Sequence, residues 1–521
     1  MAARPVPLAR HTAGHWAGWA VATLLVVFVV LPLLAVFWRA SGASLPGPAD
    51  WAAVRFTVLQ AVLSAVFSVI LAIPVARALA RRQFRGRSVL ITLMGAPFIL
   101  PVIVAVLGLL AVFGRSGIFN QALAWIGLPP IQIYGLHGVV LAHVFFNLPL
   151  ATRILLQGWQ SIPAERFRLA ASLGCRPRDV FSLLEWPMLR ATLPGAIVLI
   201  FAICLSSFAV ALTLGGGPRA TTVELAIYQA FRLDFDLGRA AVLSVLQMGI
   251  VLMAAGLALR LSLLDGFGRG MDRIARRWEA EQWPLRILDG FFLLMAALFL
   301  LLPLGAVIWR GLSGLDALPV QVWRAASVSL VMALSSTVLT VVMALALAHL
   351  ALQRRGIEAL GLLGIAASPL VIGTGLFLLI NPFGDPAHWA FAVTVLVNAM
   401  AALPFALRVV APALRDIERD FGPLADSLGM TGLARLRGLT LPRLRRPLGF
   451  SAGLAAALSM GDLGVIALFA DPDRATLPLQ ILRLMGAYRM DAAAGAGLVL
   501  LVFSLLLFWL FDRGGRQDAD A

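Results

Sequence analysis

The sequence contains no lysine, only two cysteines and few charged residues. All 42 basic residues among the 521 are arginines, and charged residues make up only 13% of the chain. A phosphate-binding P-loop and a Schiff-base enzyme both require a lysine, so both chemistries are excluded. Cys175 and Cys204 are too few for a disulfide framework or a thiolate metal site. We therefore predict no catalytic residue, no metal site and no cofactor in this chain.

Apolar residues dominate what is present. They make up 60% of the chain before its 47 glycines are added, whereas soluble proteins reach roughly 45–50% with glycine included. About 12 apolar segments approach the ~20 residues that a helix needs to cross a bilayer. They cover approximately residues 17–38, 57–76, 89–113, 133–152, 193–214, 240–259, 290–309, 328–348, 359–380, 389–407, 448–469 and 492–510. The sequence predicts an all-α, polytopic membrane protein surrounded by membrane lipid.

The arginines are unevenly distributed between the loops. Most of them fall at the two termini and in every second loop, which the predicted spans place on one side of the membrane. Because cytoplasmic loops are enriched in basic residues, we expect both termini in the cytoplasm and the chain in a bacterial inner membrane. This topology accounts for the net charge of +16 without nucleic acid, so we predict no nucleic-acid partner.

The two halves of the chain share a repeated sequence. At an offset of 255 residues, Leu148–Pro149 aligns with Leu403–Pro404, and Ser172–Gly174 aligns with Ser427–Gly429. Six spans in each half would let both halves enter the membrane from the same side, as a parallel repeat. The predicted parts are a first half at residues 1–259, a cytoplasmic linker at 260–286 and a second half at 287–521.

Two long hydrophilic loops occupy equivalent places in the repeat, at residues 157–192 and 411–447. Each pattern predicts a short helix, a glycine that ends it in the left-handed conformation, a second short helix and a proline. Small and apolar residues between the charges favour a surface that binds a partner's groove. The candidate residues are Glu165, Leu169, Ala170, Leu173, Gly174 and Pro187 in the first loop, and Asp420, Leu424, Ala425, Leu428, Gly429 and Pro442 in the second.

The spacing of alanine, Leu-Gly and proline in these loops resembles the EAA loop of binding-protein-dependent ABC importer permeases. The resemblance implies a type I permease fold, two copies of a separate ABC ATPase subunit docked on the loops, and a periplasmic or extracellular substrate-binding protein. The motif's usual glutamate is replaced by Arg168 in one loop and Pro423 in the other. Glu165 and Asp420 lie about one helical turn earlier and are the candidates to replace it.

Further segments resemble the permeases for thiamine or thiamine diphosphate, over nearly the whole chain. They lie at residues 141–149, 185–187, 214–222, 224–229, 461–465 and 467–469. Ferric-iron permeases share this architecture and some of these segments, so iron is the alternative cargo. A secondary transporter driven by an ion gradient and a membrane-embedded enzyme are the alternatives from other classes.

A few polar residues fall within the predicted spans, where charge is costly. His143 and Asn147 lie one turn apart, and Asn398 is the repeat equivalent of His143. Asp462 is the only acidic residue placed within a span. These four residues are candidates to line a translocation path, with hydrogen bonds between helices as the alternative role.

Residues on the predicted outer side form a second group. Candidates for an outer gate, or for contact with the substrate-binding protein, are Gly215, Gly216, Gly217, Arg219 and Arg474. A plain turn is the alternative for the glycines. Solvated or headgroup-bound side chains are the alternative for the arginines.

Overall fold

The described part of the chain is helical. The computed structural model describes residues 12–95, 99–217, 220–260, 277–278, 281–354, 356–357, 360, 368–469 and 475–516. Within these ranges the elements are α-helices, short 3-10 and π-helical turns and connecting segments, and none is a β-strand. The prediction of an all-α protein is confirmed.

The helices are numbered in chain order. The first twelve are α1 (Thr12–Ser41), α2 (Pro48–Arg81), α3 (Arg87–Leu93), α4 (Val102–Phe113), α5 (Ile118–Trp125), α6 (Leu136–Ser161), α7 (Ala164–Ser172), α8 (Pro177–Val180), α9 (Trp186–Leu205), α10 (Phe208–Leu214), α11 (Val223–Arg232) and α12 (Leu237–Arg260). The others are α13 (Trp283–Gly314), α14 (Val320–Gln353), α15 (Pro369–Ile380), α16 (Ala390–Ser427), α17 (Gly432–Arg435), α18 (Leu441–Met460), α19 (Gly464–Phe469), α20 (Leu477–Gly486) and α21 (Met490–Arg516). Two π-helical turns lie at Phe181–Glu185 and Leu436–Thr440.

Eleven helical stretches of the described residues are long and apolar enough to cross a membrane. Each overlaps one of the predicted segments, which confirms the polytopic class. The remaining predicted segment, 359–380, lies partly outside the described residues. Its described helix, α15, has 12 residues and therefore rises only about 18 Å, too little to cross the hydrocarbon core alone. The described residues thus contain eleven spans where about 12 were predicted.

The predicted fifth and eleventh spans are interrupted, and treating them as continuous was wrong. The helix α9 ends at Leu205 and α10 begins at Phe208, while α18 ends at Met460 and α19 begins at Gly464. Both breaks contain serine, glycine or aspartate. Serine and aspartate side chains compete with the helix for backbone hydrogen bonds, and glycine favours non-helical backbone.

The element order around the two loops repeats with the sequence. The helix α8, the first π-helical turn and α9 have the same lengths as α17, the second π-helical turn and α18. Each element begins 255 residues before its counterpart. The duplicated sequence therefore produces the same local structure twice.

One compact unit comprises Met1–Gly42, Val320–Gln480 and Val499–Ala521. In this unit α14, α16 and α18 pack together, and α1 packs on α14 and α15. Buried side chains of α1, α14 and α16 form its apolar core. Small residues permit the close approach, because a Cβ at Gly375 would lie 2.3 Å from the Pro32 carbonyl oxygen.

The other compact unit comprises Ala43–Pro319 and Ile481–Leu498. Its α2 packs against α6, α9 and α13, and α13 also packs on α4. The contact between α13 and α4 depends on a small residue, since a Cβ at Gly108 would lie 2.5 Å from the Pro303 carbonyl oxygen. Close helix contacts at glycine are typical of membrane proteins.

The compact units are therefore not the two halves of the sequence. The first helix, α1, packs with second-half helices, whereas α13, the first helix of the second half, packs with first-half helices. Of the linker at 260–286, the described residues are 260, 277–278 and 281–286. The boundaries of the two halves stay a prediction from the repeat.

The contact between α13 and α21 yields a stability prediction. A Cβ at Gly495 would lie 2.5 Å from the Gly314 carbonyl oxygen and 2.7 Å from its carbonyl carbon. Because backbone must shift to admit the methyl group, Gly495→Ala is expected to destabilise the protein by about 1–3 kcal/mol. Tryptophan-fluorescence melting of the purified protein in detergent would measure the loss.

The matched control is Gly256→Ala in α12, where the added Cβ would meet nothing within 4 Å. This variant is expected to melt at the wild-type temperature or slightly above it, because alanine favours a helix by up to about 1 kcal/mol over glycine. Equal melting temperatures for the two variants would contradict the close contact.

Candidate coupling loops and membrane polar clusters

The first loop folds as its sequence predicts. The helix α7 follows Pro163 and ends at a Schellman motif, in which the Gly174 N–H donates to the Ala171 carbonyl at 3.1 Å. The Cys175 N–H donates to the Ala170 carbonyl at 3.0 Å. Gly174 has a φ of 66°, the left-handed conformation that glycine adopts at least cost.

The second loop ends in the same way but begins differently. The Gly429 N–H donates to the Asp426 carbonyl at 3.1 Å, and the φ of Gly429 is 65°. The predicted short first helix is absent from this loop, because α16 continues from its membrane span to Ser427. The reason lies at one repeat position: Pro163 restricts the residue before it to extended backbone, whereas its counterpart Glu418 is a good helix former.

Both loops expose leucines at equivalent positions. The exposed fractions are 60% for Leu169, 70% for Leu173, 57% for Leu424 and 68% for Leu428. Glu165, Asp420, Pro187 and Pro442 are also exposed, whereas Ala170 is half-buried and Ala425 is buried. Exposed apolar side chains that recur in matched places are typical of a protein-binding surface.

Each loop is joined without interruption to a transmembrane helix. The run Pro177–Leu205 contains α8, a π-helical turn and α9, and α17 leads into α18 through the second π-helical turn. Pro187 and Pro442 are the second residues of α9 and α18 and directly follow the π-helical turns, where each lacks the N–H that would donate within the helical run. A displacement of either loop would therefore be carried along a helix of about 29 residues, or ~43 Å.

Different buried ion pairs hold the two loops. In the first, the fully buried Glu185 pairs with Arg77 at 2.7 Å and with Arg277 at 2.5 Å. In the second, the buried Arg435 pairs with Glu418 and Asp426. No local sequence pattern indicates these pairs, because Glu185 and Arg277 are 92 residues apart and Arg435 and Glu418 are 17 residues apart.

A polar cluster surrounds His143 at the break between α9 and α10. The ring nitrogen Nδ1 lies 3.1 Å from the Ser64 hydroxyl, and Nε2 forms a hydrogen bond with the Ser207 hydroxyl. The Asn147 amide donates to the Cys204 sulfur at 3.3 Å. All five residues are buried, so the cluster joins α2, α6 and the end of α9.

A second polar cluster lies at the break between α18 and α19. The Asn398 amide donates to the Ser459 hydroxyl at 3.1 Å, and Ser459 donates to Ser336 at 3.1 Å. The Asp462 Oδ1 accepts the Gly464 N–H at 3.2 Å, and Asn398 also interacts with this carboxylate. The cluster joins α14, α16 and the end of α18.

Asp462 differs from its prediction in one respect. It lies in the break after α18 and not within a helix. Its Oδ2 is buried and forms no hydrogen bond with the described atoms. At the offset of 255, Asp462 corresponds to Ser207 and Ser459 corresponds to Cys204. This correspondence between the repeats could have predicted Ser207 and Ser459 as members of the two clusters from the sequence alone.

The glycines predicted to lie on the outer side form a bend. Gly216 has a φ of 72° and Gly217 a φ of 129°. Residues other than glycine rarely adopt such positive φ values. A Cβ at Gly216 would also lie 2.8 Å from the Tyr134 Cβ. Arg219 and Arg474 lie outside the described residues. The path and gate roles stay predictions.

Known proteins place this architecture in a class. Residues 336–515 match the family described as the binding-protein-dependent transport system inner membrane component. Together with the eleven spans and the duplicated loops, this match defines a multi-pass permease of the inner membrane, a transport subunit. Permeases of this class act with an ABC ATPase and a substrate-binding protein, and both partners follow from the class.

Full-length relatives define the family further. The chain is 38% identical to the thiamine transport system permease protein ThiP of Brucella abortus (strain 2308), over all of this chain and 98% of that protein. It is 41% identical to that of Escherichia coli (strain K12), over 95% and 96%, and 35% identical to that of Haemophilus influenzae, over 98% and 97%. The chain belongs to the family of thiamine transport system permease proteins.

The His143 cluster yields a second stability prediction. In His143→Ala the Ser64 and Ser207 hydroxyls lose their imidazole partner, at an expected cost of about 1–3 kcal/mol for buried groups left unsatisfied. His143→Asn, which introduces the residue found at the equivalent position of the second half, is expected to lose less. Thermal melting in detergent would measure both.

His388→Ala is the control, because the side chain of His388 is 79% exposed. It is expected to melt within about 0.5 kcal/mol of wild type, as exposed substitutions usually do. Wild-type melting of His143→Ala would contradict a role for His143 in joining the helices.

Proposed function

We propose that this chain is the membrane subunit of an ATP-driven importer of thiamine. The observation that carries the transport mechanism is the pair of matched loops, each with the same Schellman motif and the same exposed leucines. The cargo is inferred from full-length relatives that are thiamine transport system permease proteins. Ferric iron is the competing cargo in the test below, and thiamine diphosphate is the alternative form of the vitamin.

ATP hydrolysis would take place on two copies of a separate ATPase subunit, one bound to each loop. The chain contains no lysine for a P-loop of its own. Leu169 and Leu173 in one loop, and Leu424 and Leu428 in the other, would enter an apolar groove on each ATPase. Closure of the ATPase pair would move both loops, and the continuous helices α9 and α18 would carry that movement to the two breaks.

The predicted membrane topology determines which parts of the chain face each partner. Both termini and both loops would lie in the cytoplasm, where the ATPase and its nucleotide are found. The turn at Gly215–Gly217, with Arg219 and Arg474, would lie on the outer side and contact the substrate-binding protein. Membrane lipid would cover the exposed apolar faces of the spans, such as those of α1 and α13.

The polar clusters are proposed to line the cargo's path. Thiamine carries a positively charged thiazolium ring, and a carboxylate in a region of low dielectric attracts such a cation strongly. Asp462 suits this role because its Oδ2 is buried without a hydrogen bond to the described atoms. His143, Asn147 and Asn398 are the neutral polar candidates for lining the path.

Transport measurements test the loops and the cargo together. In a bacterial strain that lacks this permease, the wild-type chain is expected to restore uptake of labelled thiamine and to leave ferric-iron uptake unchanged. Leu173→Glu and Leu428→Glu place a charge on each proposed docking surface and are expected to reduce thiamine uptake at least tenfold, a loss of about 1.4 kcal/mol or more in docking. Recovery of the ATPase with the purified permease would be measured in parallel.

Leu45→Glu serves as the control, since Leu45 is 91% exposed and belongs to the segment between α1 and α2 and not to either loop. It is expected to retain uptake and ATPase binding. Uptake of iron and not of thiamine would overturn the cargo, and retained ATPase binding by both loop variants would overturn the docking surface.

Asp462→Asn tests the path. Loss of the negative charge is expected to reduce the maximal rate of thiamine uptake about tenfold, which corresponds to about 1.4 kcal/mol at the barrier. Binding of thiamine by the separate substrate-binding protein is expected to be unchanged. The control is Asp316→Asn, because Asp316 is exposed in a short 3-10 helix. An unchanged uptake rate in Asp462→Asn, with normal membrane insertion, would remove Asp462 from the path.

A further inference from the structure

Glu185 is a buried carboxylate at the end of the first π-helical turn. Its Oε2 pairs with Arg77 Nη2 at 2.7 Å, and its Oε1 pairs with Arg277 Nη2 at 2.5 Å. The Trp159 indole N–H also donates to Oε1, at 3.2 Å. Partners from α2, α6 and the linker thus converge on one side chain that immediately precedes α9.

Arg277 brings the linker into direct contact with the first loop. Its side chain is 2% exposed, and its guanidinium lies 4.0 Å from the centre of the Phe167 ring in α7. The same guanidinium therefore contacts the helix that carries Leu169 and Leu173 and the π-helical turn that leads into α9. Arg77 lies 5.0 Å from the Phe181 ring at the start of that turn, which adds a contact from α2.

A second ion pair holds the chain just beyond the linker. Asp289, near the start of α13, is buried and accepts hydrogen bonds from Arg81 and Arg82, each at 2.6 Å. These arginines lie one turn beyond Arg77, at the end of α2. The chain is thus attached to the same end of α2 through Arg277 and Glu185 on one side, and through Asp289 on the other.

The second loop has ion pairs and a ring contact of its own. Arg435 pairs with Glu418 and Asp426, and Arg443 lies 3.5 Å from the centre of the Phe421 ring. All of these residues belong to the loop at 411–447. At the repeat position of Glu185 the second half has Thr440, which cannot form the same ion pairs.

We propose that the linker holds the first coupling loop through Arg277, and that the second loop is held by Arg435 within itself. Arg277 is then a positioning residue, because it acts on transport through α7 and the π-helical turn and not by contact with cargo or nucleotide. Removing it leaves Glu185 with Arg77 and Trp159 as partners and removes the cation–π contact on Phe167. The first loop would then still move with the ATPase, but less of that movement would reach α9. This inference rests on the proposed function for its transport consequence only.

The test compares Arg277→Gln with Arg435→Gln, one variant for each loop. Hydrogen–deuterium exchange of the detergent-solubilised chain is expected to rise at residues 164–185 in Arg277→Gln and at 418–440 in Arg435→Gln, with the other loop unchanged in each case. Arg277→Lys, which keeps the charge, and Phe167→Leu, which removes only the ring contact, are expected to give smaller increases at 164–185. These two milder variants keep the test informative if Arg277→Gln folds poorly.

The transport arm uses proteoliposomes that contain the permease with its ATPase and its binding protein. Arg277→Gln is expected to raise the ATP hydrolysed per thiamine imported several-fold, with ATPase binding retained and partial recovery in Arg277→Lys. A variant that merely lowered stability would reduce hydrolysis and import together.

Two results would overturn the inference: exchange that rises equally in both loops in Arg277→Gln, or an unchanged ratio of ATP to thiamine when exchange at 164–185 has risen. The exchange measurement needs neither cargo nor ATPase. Failure of the wild type to import thiamine would therefore refute the proposed function while the attachment of the linker is still tested.

Discussion

The structure depends on one constraint: inside a lipid bilayer every backbone N–H and carbonyl must find a partner within the protein. Long helices meet this constraint in the eleven spans. Where α9 and α18 end within the predicted spans, side chains must meet it instead. The two breaks accordingly coincide with the two polar clusters, one centred on His143 and one on Asn398, with Asp462 accepting the first N–H of α19. Irregular backbone at membrane depth is typical of transporters, where it borders the cargo's path.

The loops show how a short motif gives a protein-binding surface its shape. Glycine at C′ ends each loop helix through the same two hydrogen bonds, and this fixes the direction in which the exposed leucines face. The following π-helical turn joins loop to membrane helix without a flexible hinge. The same helix end in both loops does not require the same support, because different buried ion pairs hold the two loops.

Much of this could be predicted from local patterns. Segment length and hydropathy predict the spans, and the αL requirement at a helix end predicts the roles of Gly174 and Gly429. What could not be predicted involves distant partners. Glu185 and Arg277 are 92 residues apart, and nothing near either one indicates the other. Serines such as Ser207 carry little signal within an apolar run, so the helix breaks were missed. The continuity of α16 depends on Glu418, which occupies the position of Pro163 in the first loop. The alignment of the two repeats shows this difference, and it could have predicted the longer helix.

The exchange of α1 and α13 between the compact units has a consequence for biosynthesis. The helix α1 packs on α14, which begins about 280 residues after α1 ends. At a synthesis rate of roughly 5–20 residues per second, α1 spends about 14–56 s in the membrane before that partner is made. The helix α21 contributes its beginning to one unit and its end to the other. Neither unit can therefore be complete until α21 has been translated, and a chain that stalls before it would expose helix faces meant for burial to the membrane's quality-control proteases.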